Sequence, residues 1–213
     1  MTQNDDRCSR YADCYDRVSA EMQWRGPEVA FGLMYSCIAP GQSILDLGIG
    51  TGLGAALFHK AGLRITGMDT SPSMTDVCRR KHPEFTIVSH DITVTPWPFD
   101  PKTFDHIVST GVFHFIGDLS PVVAECARVL TRQGTFGFDF AEHHLSHPGE
   151  YQRVVDGIYT HRDEEYGEQL YRHSEAYIYQ QLADNGFERL SEAEFLISKG
   201  QKQYFRTIVA RRQ

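Results

Sequence analysis

A glycine-rich turn at residues 48–52 is the segment of this sequence with the clearest chemical potential. Residues 45–52 read Leu-Asp-Leu-Gly-Ile-Gly-Thr-Gly, between an apolar run and a helical pattern. Glycine has no Cβ and tolerates positive φ, so a ligand can approach the backbone of such a turn. Leu53 stands where a dinucleotide-binding GxGxxG motif requires its third glycine. The motif therefore predicts either a ligand-binding turn that departs from the dehydrogenase pattern or a tight turn with a purely structural role.

Three aspartates, one before the glycine turn and two after it, are spaced at nearly equal intervals. Asp46, Asp69 and Asp91 end or follow three successive predicted strands. The carboxyl ends of parallel strands meet at one edge of a sheet, which is the usual ligand crevice of an open α/β fold. A carboxylate after the second strand is suited to accepting both hydroxyls of a ribose. Any one of these acids is more often a helix cap or a solvated side chain, but three in one register indicate a common ligand site.

Strand-like and helix-like patterns alternate along the chain and must position these residues. The predicted strands cover residues 43–47, 64–68, 85–88, 104–110, 134–140, 187–197 and 204–211. The predicted helices cover residues 9–22, 27–38, 51–60, 71–81, 119–130 and 174–185. This alternation predicts right-handed crossovers and a mainly parallel sheet that is covered by helices on both faces.

The link at Lys199-Gly200-Gln201 is too short for a crossover helix, so the last two strands should be antiparallel neighbours. We therefore predict a three-layer α/β sandwich with seven strands in the order 3-2-1-4-5-7-6, of which only the last is antiparallel. A chain of 213 residues with 41% hydrophobic residues suits a single domain over residues 1–213. Within it, residues 9–40 are expected to form an amino-terminal helical lid, and residues 141–173 an insertion that lines the substrate pocket.

Charge and cysteine content argue against several classes of function. Twenty-one basic and 28 acidic residues give a net charge of −7, which disfavours a broad electrostatic grip on nucleic acid. No apolar run approaches the roughly 20 residues of a membrane span, and the start does not read as a signal peptide. Five cysteines without a CxxC pair predict neither a disulfide framework nor a structural zinc site. A cytoplasmic protein without a membrane partner is expected, either monomeric or homodimeric.

Taken together, these motifs resemble the class I S-adenosylmethionine-dependent methyltransferases over roughly Tyr11 to Arg211. The segments that carry the likeness are 44–52 (ILDLGIGTG), 67–74 (GMDTSPSM), 90–92 (HDI), 104–109 (FDHIVS) and 127–134 (ARVLTRQG). The last segment lacks the Pro-Gly-Gly that is frequent in the family, a departure that affects a turn and not the site. Within the family the chain looks like the small ubiquinone-biosynthesis-type, methyltransferase-domain 11-like enzymes. The resemblance implies a Rossmann-like fold and the cofactor S-adenosyl-L-methionine, with S-adenosyl-L-homocysteine as the product.

The resemblance also implies roles for the residues of the crevice. Gly48, Gly50 and Gly52 would pass under the methionine part of the cofactor, with Asp46 close to its ammonium group. Asp69 would bind the ribose hydroxyls. The resemblance further implies that Thr70 lies beside Asp69 and that Met74 packs against the adenine or ribose. Asp91 would accept from the adenine amino group, and the Ile92 backbone N–H would donate to the ring. The segment under the sulfonium would consist of Ser109, Thr110 and Gly111.

The amino-terminal segment is a second candidate layer of this cofactor site. Tyr15, Trp24 and Arg25 fall where related small methyltransferases carry a lid. Tyr15 would hydrogen-bond the cofactor while covering it, and the Arg25 guanidinium would bind its carboxylate. Aromatic residues at helical spacing are also typical of core packing, so a permanently packed amino-terminal helix is the alternative.

Histidines are concentrated after the fifth predicted strand, at His143, His144, His147, His161 and His173. A surface loop and a substrate pocket in which one imidazole acts as a base are both open readings. No metal site is expected, because the adjacent pair 143–144 would point apart in a regular element. His114, which follows the fourth strand, and His143 are the candidates for a group on the substrate side. The catalytic residue stays unassigned.

The predicted activity is methyl transfer to an O, N, C or S nucleophile of a small-molecule acceptor, a reaction whose rate depends largely on alignment. A nicotinamide-dependent oxidoreductase, which shares the sheet and the ribose acid, is one alternative. Leu53 and the final antiparallel pair count against it. A non-catalytic regulatory module that binds the same cofactor is the other alternative, and an intact crevice without turnover would favour it.

Overall fold

The computed structural model describes residues 3–143, 151–162, 167–197 and 203–213, with side chains from residue 12 onward. The described strands are β1 (Ser43–Leu47), β2 (Arg64–Asp69), β3 (Thr86–Ser89), β4 (Phe104–Ser109), β5 (Leu130–Ala141), β6 (Gln152–Val155), β7 (Ile158–Arg162), β8 (Gln169–His173), β9 (Phe187–Ile197) and β10 (Gln203–Arg212). The described helices are α1 (Gln3–Glu21), α2 (Gly26–Met34), α3 (Ala55–Lys60), α4 (Pro72–Lys81), α5 (Ser120–Val129) and α6 (Glu175–Asp184).

Seven strands form one sheet in the order β3-β2-β1-β4-β5-β10-β9. The first five pair in parallel, whereas β10 runs antiparallel to both β5 and β9. Counted within this sheet, the order is 3-2-1-4-5-7-6, so the predicted topology and the single antiparallel strand are confirmed. The predicted link at 199–201 lies outside the described residues.

Helices cover both faces of the sheet because side chains alternate along the central strands. Phe136, Phe138 and Phe140 of β5 point to one face, where they pack in a core cluster with residues of α5 and α6. The intervening Gly137 lies under Met34 of α2 on the other face, where α2 and α3 contribute to a second cluster. The expected three-layer arrangement is therefore present.

The two amino-terminal helices occupy different places. In α2, Ala30 and Met34 are fully buried, so this helix is part of the core that covers the sheet. Helix α1 begins at Gln3, six residues before the predicted start, and packs mainly against α4. Within the predicted lid range 9–40, only α1 lies outside the sheet-covering layer.

A second, three-stranded antiparallel sheet of order β6-β7-β8 occupies the predicted insertion. The sequence reading identified no strand in this region, although Asp156-Gly157 is a hairpin turn signal between two extended segments. Gly157 has a φ of +81°, which such a turn requires. His173 anchors this sheet to the rest of the fold, because its Nε2 bonds the Gly117 carbonyl oxygen at 2.8 Å and its own carbonyl accepts from the His143 N–H at 2.9 Å.

Candidate active site

The glycine turn lies where β1 ends, and three of its residues need the freedom of glycine. Gly48, Gly50 and Gly52 have φ angles of +73°, +53° and +83°. A methyl group on Gly48 would also lie 2.4 Å from Cγ2 of Val112, so this turn has no room for a side chain there. Helix α3 begins only at Ala55, four residues after the predicted start, because residues 51–54 remain in the turn.

Asp69 at the end of β2 holds the glycine turn in place. One carboxylate oxygen accepts from the Gly50 N–H and the other from the Ser71 N–H, each at 2.8 Å. An ionised carboxylate has about four acceptor sites, so both oxygens retain capacity for hydroxyl donors. Ser71 caps α4 by accepting from the Met74 N–H at 3.4 Å, and the Met74 methyl group faces Gly50. The acid, the turn and the methionine therefore lie side by side.

Asp46 adds a second acid beneath the same turn. It is 4% exposed, and burial raises its pKa well above the usual range, with the charge of Asp69 as the smaller cause. Two acids this close favour a cationic group, which would relieve the repulsion that raises the pKa. The crevice is thus electrostatically suited to a ligand that carries a positive charge.

The third acid lies at the neighbouring strand. Asp91 follows the end of β3, two residues beyond the register partner of Asp69, and its exposed carboxylate accepts from the N–H of Thr93 at 2.8 Å and from its hydroxyl at 2.7 Å. Ile92 is buried, and its carbonyl accepts from Trp97 Nε1 at 2.9 Å. Thr70 is exposed at the end of β2. All of these lie at the same edge of the sheet, in the order that the sequence predicted.

The segment after β4 completes the floor of the crevice. The Ser109 hydroxyl donates to the Leu47 carbonyl at 3.0 Å and so ties the ends of β4 and β1 together. The Thr110 hydroxyl lies 3.2 Å from the place where a Cβ of Gly54 would stand. Gly111 has a φ of +72° and donates its N–H to Asp139 on β5 at 2.9 Å. This floor therefore depends on a residue of the next strand, which the sequence analysis did not single out.

Helix α1 approaches the crevice through polar contacts. Asp16 accepts from the Thr51 hydroxyl and from Lys81 Nζ, each at 2.5 Å, and Lys81 also donates to the Thr51 carbonyl at 3.2 Å. Tyr15 precedes this junction and is half-buried. A cavity of about 120 Å³ lies between α1 and the α2–α3 pair; its lining includes Asp16, Arg25 and Leu53. The contacts place α1 over the end of the glycine turn.

The two other predicted lid residues both line this cavity but make different contacts. Arg25 is exposed and pairs with Glu28 at 3.2 Å, at the rim of the cavity. Trp24 is half-buried, and its ring also lies against Gly111 and packs on Phe195 and Phe205 at centroid distances of 5.5 and 5.0 Å. Trp24 thus lies between the cavity and the β10 side of the crevice floor.

A buried polar pair that the sequence analysis missed lies beneath Trp24. Asp139 is 1% exposed, and burial raises its pKa to about 7 against a small opposing effect of the Gly111 N–H. Its Oδ2 has no hydrogen-bond partner among the described residues, and neither has the hydroxyl of Thr207, its register partner on β10. An acid between two phenylalanines of an apolar strand was the signal that could have found this site.

The two candidate histidines lie against β10 and against the second sheet, respectively. His114 packs edge-on against Phe205 at 5.8 Å, and its pKa is lowered to about 4 by burial and then by His173. His143 stacks on Tyr159 of the second sheet at 3.4 Å. His144 and His147 lie outside the described residues. No group of three or more metal-ligating side chains occurs in the part of the chain that the structure describes.

Comparison with known proteins identifies the family behind this geometry. A family profile described as "Methyltransferase domain" matches residues 45–138, which run from the start of the glycine motif to the middle of β5. The chain carries a class I methyltransferase domain. The match includes Asp46, Asp69, Asp91 and the segment 109–111, whereas Asp139 lies just beyond it.

Related sequences agree with this family. The chain is 32% identical to malonyl-[acyl-carrier protein] O-methyltransferase of Serratia marcescens over 150 residues, or 70% of this chain and 57% of that protein. It is 27% identical to demethylmenaquinone methyltransferase of Tropheryma whipplei over 130 residues, or 59% of this chain and 54% of that protein. The chain therefore spans slightly more than half the length of these methyltransferases.

Solved methyltransferase structures share the fold. An S-adenosylmethionine-dependent methyltransferase of Methanosarcina mazei superposes with a TM-score of 0.73 at 18% identity, over 84% of this chain and 96% of that one. The 1,6-didemethyltoxoflavin-N1-methyltransferase of Burkholderia thailandensis superposes with a TM-score of 0.69 at 17% identity, over 97% and 87% of the two chains. In the described part of this chain, no helix combines the length and the apolar character that a membrane span needs.

Proposed function

We propose that this protein transfers a methyl group from S-adenosyl-L-methionine to a nucleophile of a small-molecule acceptor. The observation that carries the proposal is the bond from the Gly50 N–H to Asp69, which joins a turn of three positive-φ glycines to an acid with free acceptor capacity. This combination lies inside the matched methyltransferase segment. When bound, the cofactor supplies a methyl group on a positively charged sulfur.

The residues of the crevice fit that cofactor chemically. Asp69 would accept from the two ribose hydroxyls, with Thr70 at the rim. The buried acid Asp46 would offset the positive charges of the cofactor, which explains why two acids are tolerated so close together. The other contacts in this proposal are the glycine turn at Gly48, Gly50 and Gly52, the apolar surfaces of Met74 and Ile92 with Asp91 at the adenine, and the floor formed by Ser109, Thr110 and Gly111.

The protein would supply binding, alignment and exclusion of water. Helix α1, which carries Tyr15, would act as the moving part of the proposed lid, with Arg25 at the cavity. Trp24 and His114, which both contact Phe205, would border the acceptor, and His143 and the insertion at 141–173 would complete that side. The buried thiols of Cys78 and Cys126 suit the cytoplasmic setting that we propose.

The nature of the acceptor follows from charge and from relatives. A net charge of −7 disfavours nucleic acid, and the structurally similar enzyme from Burkholderia thailandensis has 1,6-didemethyltoxoflavin and S-adenosylhomocysteine bound. The alternative of a nicotinamide-dependent oxidoreductase is weakened by Leu53 in the third glycine position and by the methyltransferase profile. A regulatory module that binds the cofactor without turnover differs from the proposed enzyme only in activity.

Calorimetry separates these functions. We expect the protein to bind S-adenosylmethionine and S-adenosylhomocysteine and not NAD. Binding of NAD alone would favour the oxidoreductase and contradict the proposal. An acceptor screen with methyl-labelled S-adenosylmethionine then tests turnover, and binding without methylation of any compound would favour the regulatory module.

A further inference from the structure

The indole of Trp24 lies in a flat slot that is lined by two glycines and two phenylalanines. Trp24 Cζ2 would lie 2.4 Å from a Cβ on Gly26 and 3.2 Å from a Cβ on Gly111, so two glycines leave space for the ring. Phe195 and Phe205 close the slot with tilted and edge-on contacts to the indole. These four residues define a compartment that holds one flat aromatic ring, which we call the ring slot.

Polar atoms without partners lie at the inner end of the ring slot. Asp139 Oδ2 would lie 2.6 Å from a Cβ on Gly26, next to the same point that Trp24 Cζ2 approaches. Thr207 faces the same way, since it is the register partner of Asp139 on the adjacent strand, and it is 0% exposed. Neither Asp139 Oδ2 nor Thr207 Oγ1 has a hydrogen-bond partner among the described residues.

Two such atoms side by side point to a ligand. A buried polar group without a partner costs about 1–3 kcal/mol, so natural cores seldom keep one without reason. A carboxylate accepts only, whereas a hydroxyl both donates and accepts. The group that satisfies both atoms is therefore an O–H or N–H on a ring that fits the slot.

The ring slot is also placed for the proposed reaction. Asp139 bonds the Gly111 N–H through its other oxygen, and Gly111 belongs to the floor of the crevice. Trp24 stands on the short link between α1 and α2, next to Gln23, whose φ of +58° is rare for a residue with a side chain. Movement of the α1 end of this link would draw the indole out of the slot.

Resting on the proposed function, we infer that the ring slot is the acceptor site and that it takes a flat aromatic or heteroaromatic compound bearing an O–H or N–H. The ring of the acceptor replaces the Trp24 indole between Phe195 and Phe205, and its donor binds Asp139 Oδ2 with Thr207 beside it. Because burial raises the pKa of Asp139 to about 7, its carboxylate form is populated near neutral pH and can accept from the O–H or N–H of the acceptor.

Indole and benzofuran test this inference, because the two rings have nearly the same shape and only indole carries an N–H. Binding is followed through the Trp24 side-chain N–H resonance in 15N-labelled protein saturated with S-adenosylhomocysteine, with a Trp97→Phe variant to assign the signal. We expect both probes to shift this resonance and indole to bind about tenfold more tightly, the gain of one hydrogen bond to a carboxyl group. Equal affinities, or no binding of either probe, would overturn the inference.

Variants show which residues cause the preference for indole over benzofuran. Asp139→Leu should abolish the preference for indole, while Thr135→Val, at a buried threonine four residues earlier on β5, should leave it unchanged. Trp24→Ala should bind indole more tightly, because its own ring no longer competes; binding to this variant is followed through the Gly111 backbone N–H resonance. Weaker binding would show that Trp24 is a wall of the slot and contradict the replacement. Calorimetry with S-adenosylhomocysteine is run first, so a failure of the proposed function is seen separately from a failure of the ring slot.

Discussion

Asp139 of β5 accepts a hydrogen bond of 2.9 Å from the Gly111 N–H, so a buried acid of one strand fixes the chain where the neighbouring strand ends. Gly111 needs this anchor because its φ of +72° turns the backbone sharply out of the sheet. The same carboxyl leaves its second oxygen without a partner among the described residues. One side chain thus joins the proposed cofactor floor to the proposed acceptor side, and its ionisation has a measurable consequence for stability.

The first prediction concerns the pH dependence of stability. The pKa of Asp139 is raised to about 7, whereas the ordinary value is 3.8. Between these pH values the unfolded chain releases a proton that the folded protein keeps, so the free energy of unfolding falls by up to about 4 kcal/mol as pH rises to 7. Asp139→Asn lacks this ionisation. Its stability relative to the wild type, measured by urea unfolding, should therefore rise from pH 4 to 7 and stay level above.

An exposed acid provides the control for this measurement. Asp100 is exposed and precedes β4, at the edge of the sheet away from the crevice. The difference between Asp100→Asn and the wild type should show no comparable rise over the same range. A pH-independent difference for Asp139→Asn would mean that the carboxyl is not shielded from water as the structure indicates.

Two threonine substitutions of the same kind should have opposite effects on stability. Thr207→Val removes a buried hydroxyl that has no partner among the described residues, so the free energy of unfolding should increase by about 1 kcal/mol. Thr135→Val removes a hydroxyl that forms a hydrogen bond of 2.7 Å with His106 Nδ1. The free energy of unfolding should therefore decrease by about 1 kcal/mol. Chemical denaturation of both variants in parallel checks this pair. A loss of stability in Thr207→Val would show that its hydroxyl is satisfied in solution.

Cofactor affinity should depend on Asp69. Asp69→Ala removes the acceptor for ribose hydroxyls and also releases the Gly50 N–H that shapes the turn. Hydrogen bonds to charged groups contribute about 1.5–3 kcal/mol, so S-adenosylhomocysteine should bind roughly 10- to 150-fold more weakly by calorimetry. Asp100→Ala, a substitution of an exposed acid, should bind as the wild type does. Undiminished affinity in Asp69→Ala would contradict the assignment of the crevice.

Two glycine-to-alanine substitutions separate turn geometry from helix propensity. Gly48→Ala combines a positive φ with a clash against Val112, so it should weaken binding of S-adenosylhomocysteine and lower stability. Gly32 lies in α2, where an added Cβ would meet no atom within 4 Å, and Gly32→Ala should raise stability by about 0.5–1 kcal/mol without changing affinity. Equal effects of the two variants on affinity would argue that the turn does not approach the cofactor.

The main sheet could be predicted from sequence because apolar residues recur along its strands and turn-forming residues or helical patterns separate them. Ser43–Leu47 and Phe187–Ile197 begin and end at the predicted residues. The acids of the crevice were also predictable, since parallel topology alone brings Asp46, Asp69 and Asp91 to one edge. These positions follow from local pattern and topology, which a single sequence records.

Other features depend on contacts between distant segments. Asp139 meets Thr207 only because β10 inserts beside β5 in one particular register, and no periodicity reveals that pairing. Trp24 was predicted as a lid residue together with Tyr15 and Arg25, yet its ring also packs on Phe195 and Phe205, which lie far away in the sequence. The small sheet β6-β7-β8 was missed because its strands are short and mostly polar, so the Asp156-Gly157 turn was their main signal.

The last prediction concerns α1 as a lid over the cofactor. This helix is held to the glycine turn through Asp16, which contacts Thr51, and to α4 through the pairs of Asp16 with Lys81 and of Asp13 with Arg80. Exposed ion pairs contribute only about 0–1 kcal/mol, so such an attachment opens readily in solution. Cofactor bound beneath the helix should order it. Saturating S-adenosylhomocysteine should therefore slow hydrogen exchange of residues 9–27 at least several-fold, measured by mass spectrometry.

Substitutions at the two acids of α1 distinguish a lid from a permanently packed helix. Asp16→Ala loses both contacts with the glycine turn and α4, so it should speed exchange in residues 9–27 and weaken S-adenosylhomocysteine binding several-fold. Asp13→Ala loses only the exposed pair with Arg80 and should change neither quantity. In both variants the free energy of unfolding should stay within about 1 kcal/mol of the wild type, because the core of the sheet does not include these side chains. Exchange in this segment that cofactor leaves unchanged would establish α1 as a fixed part of the fold.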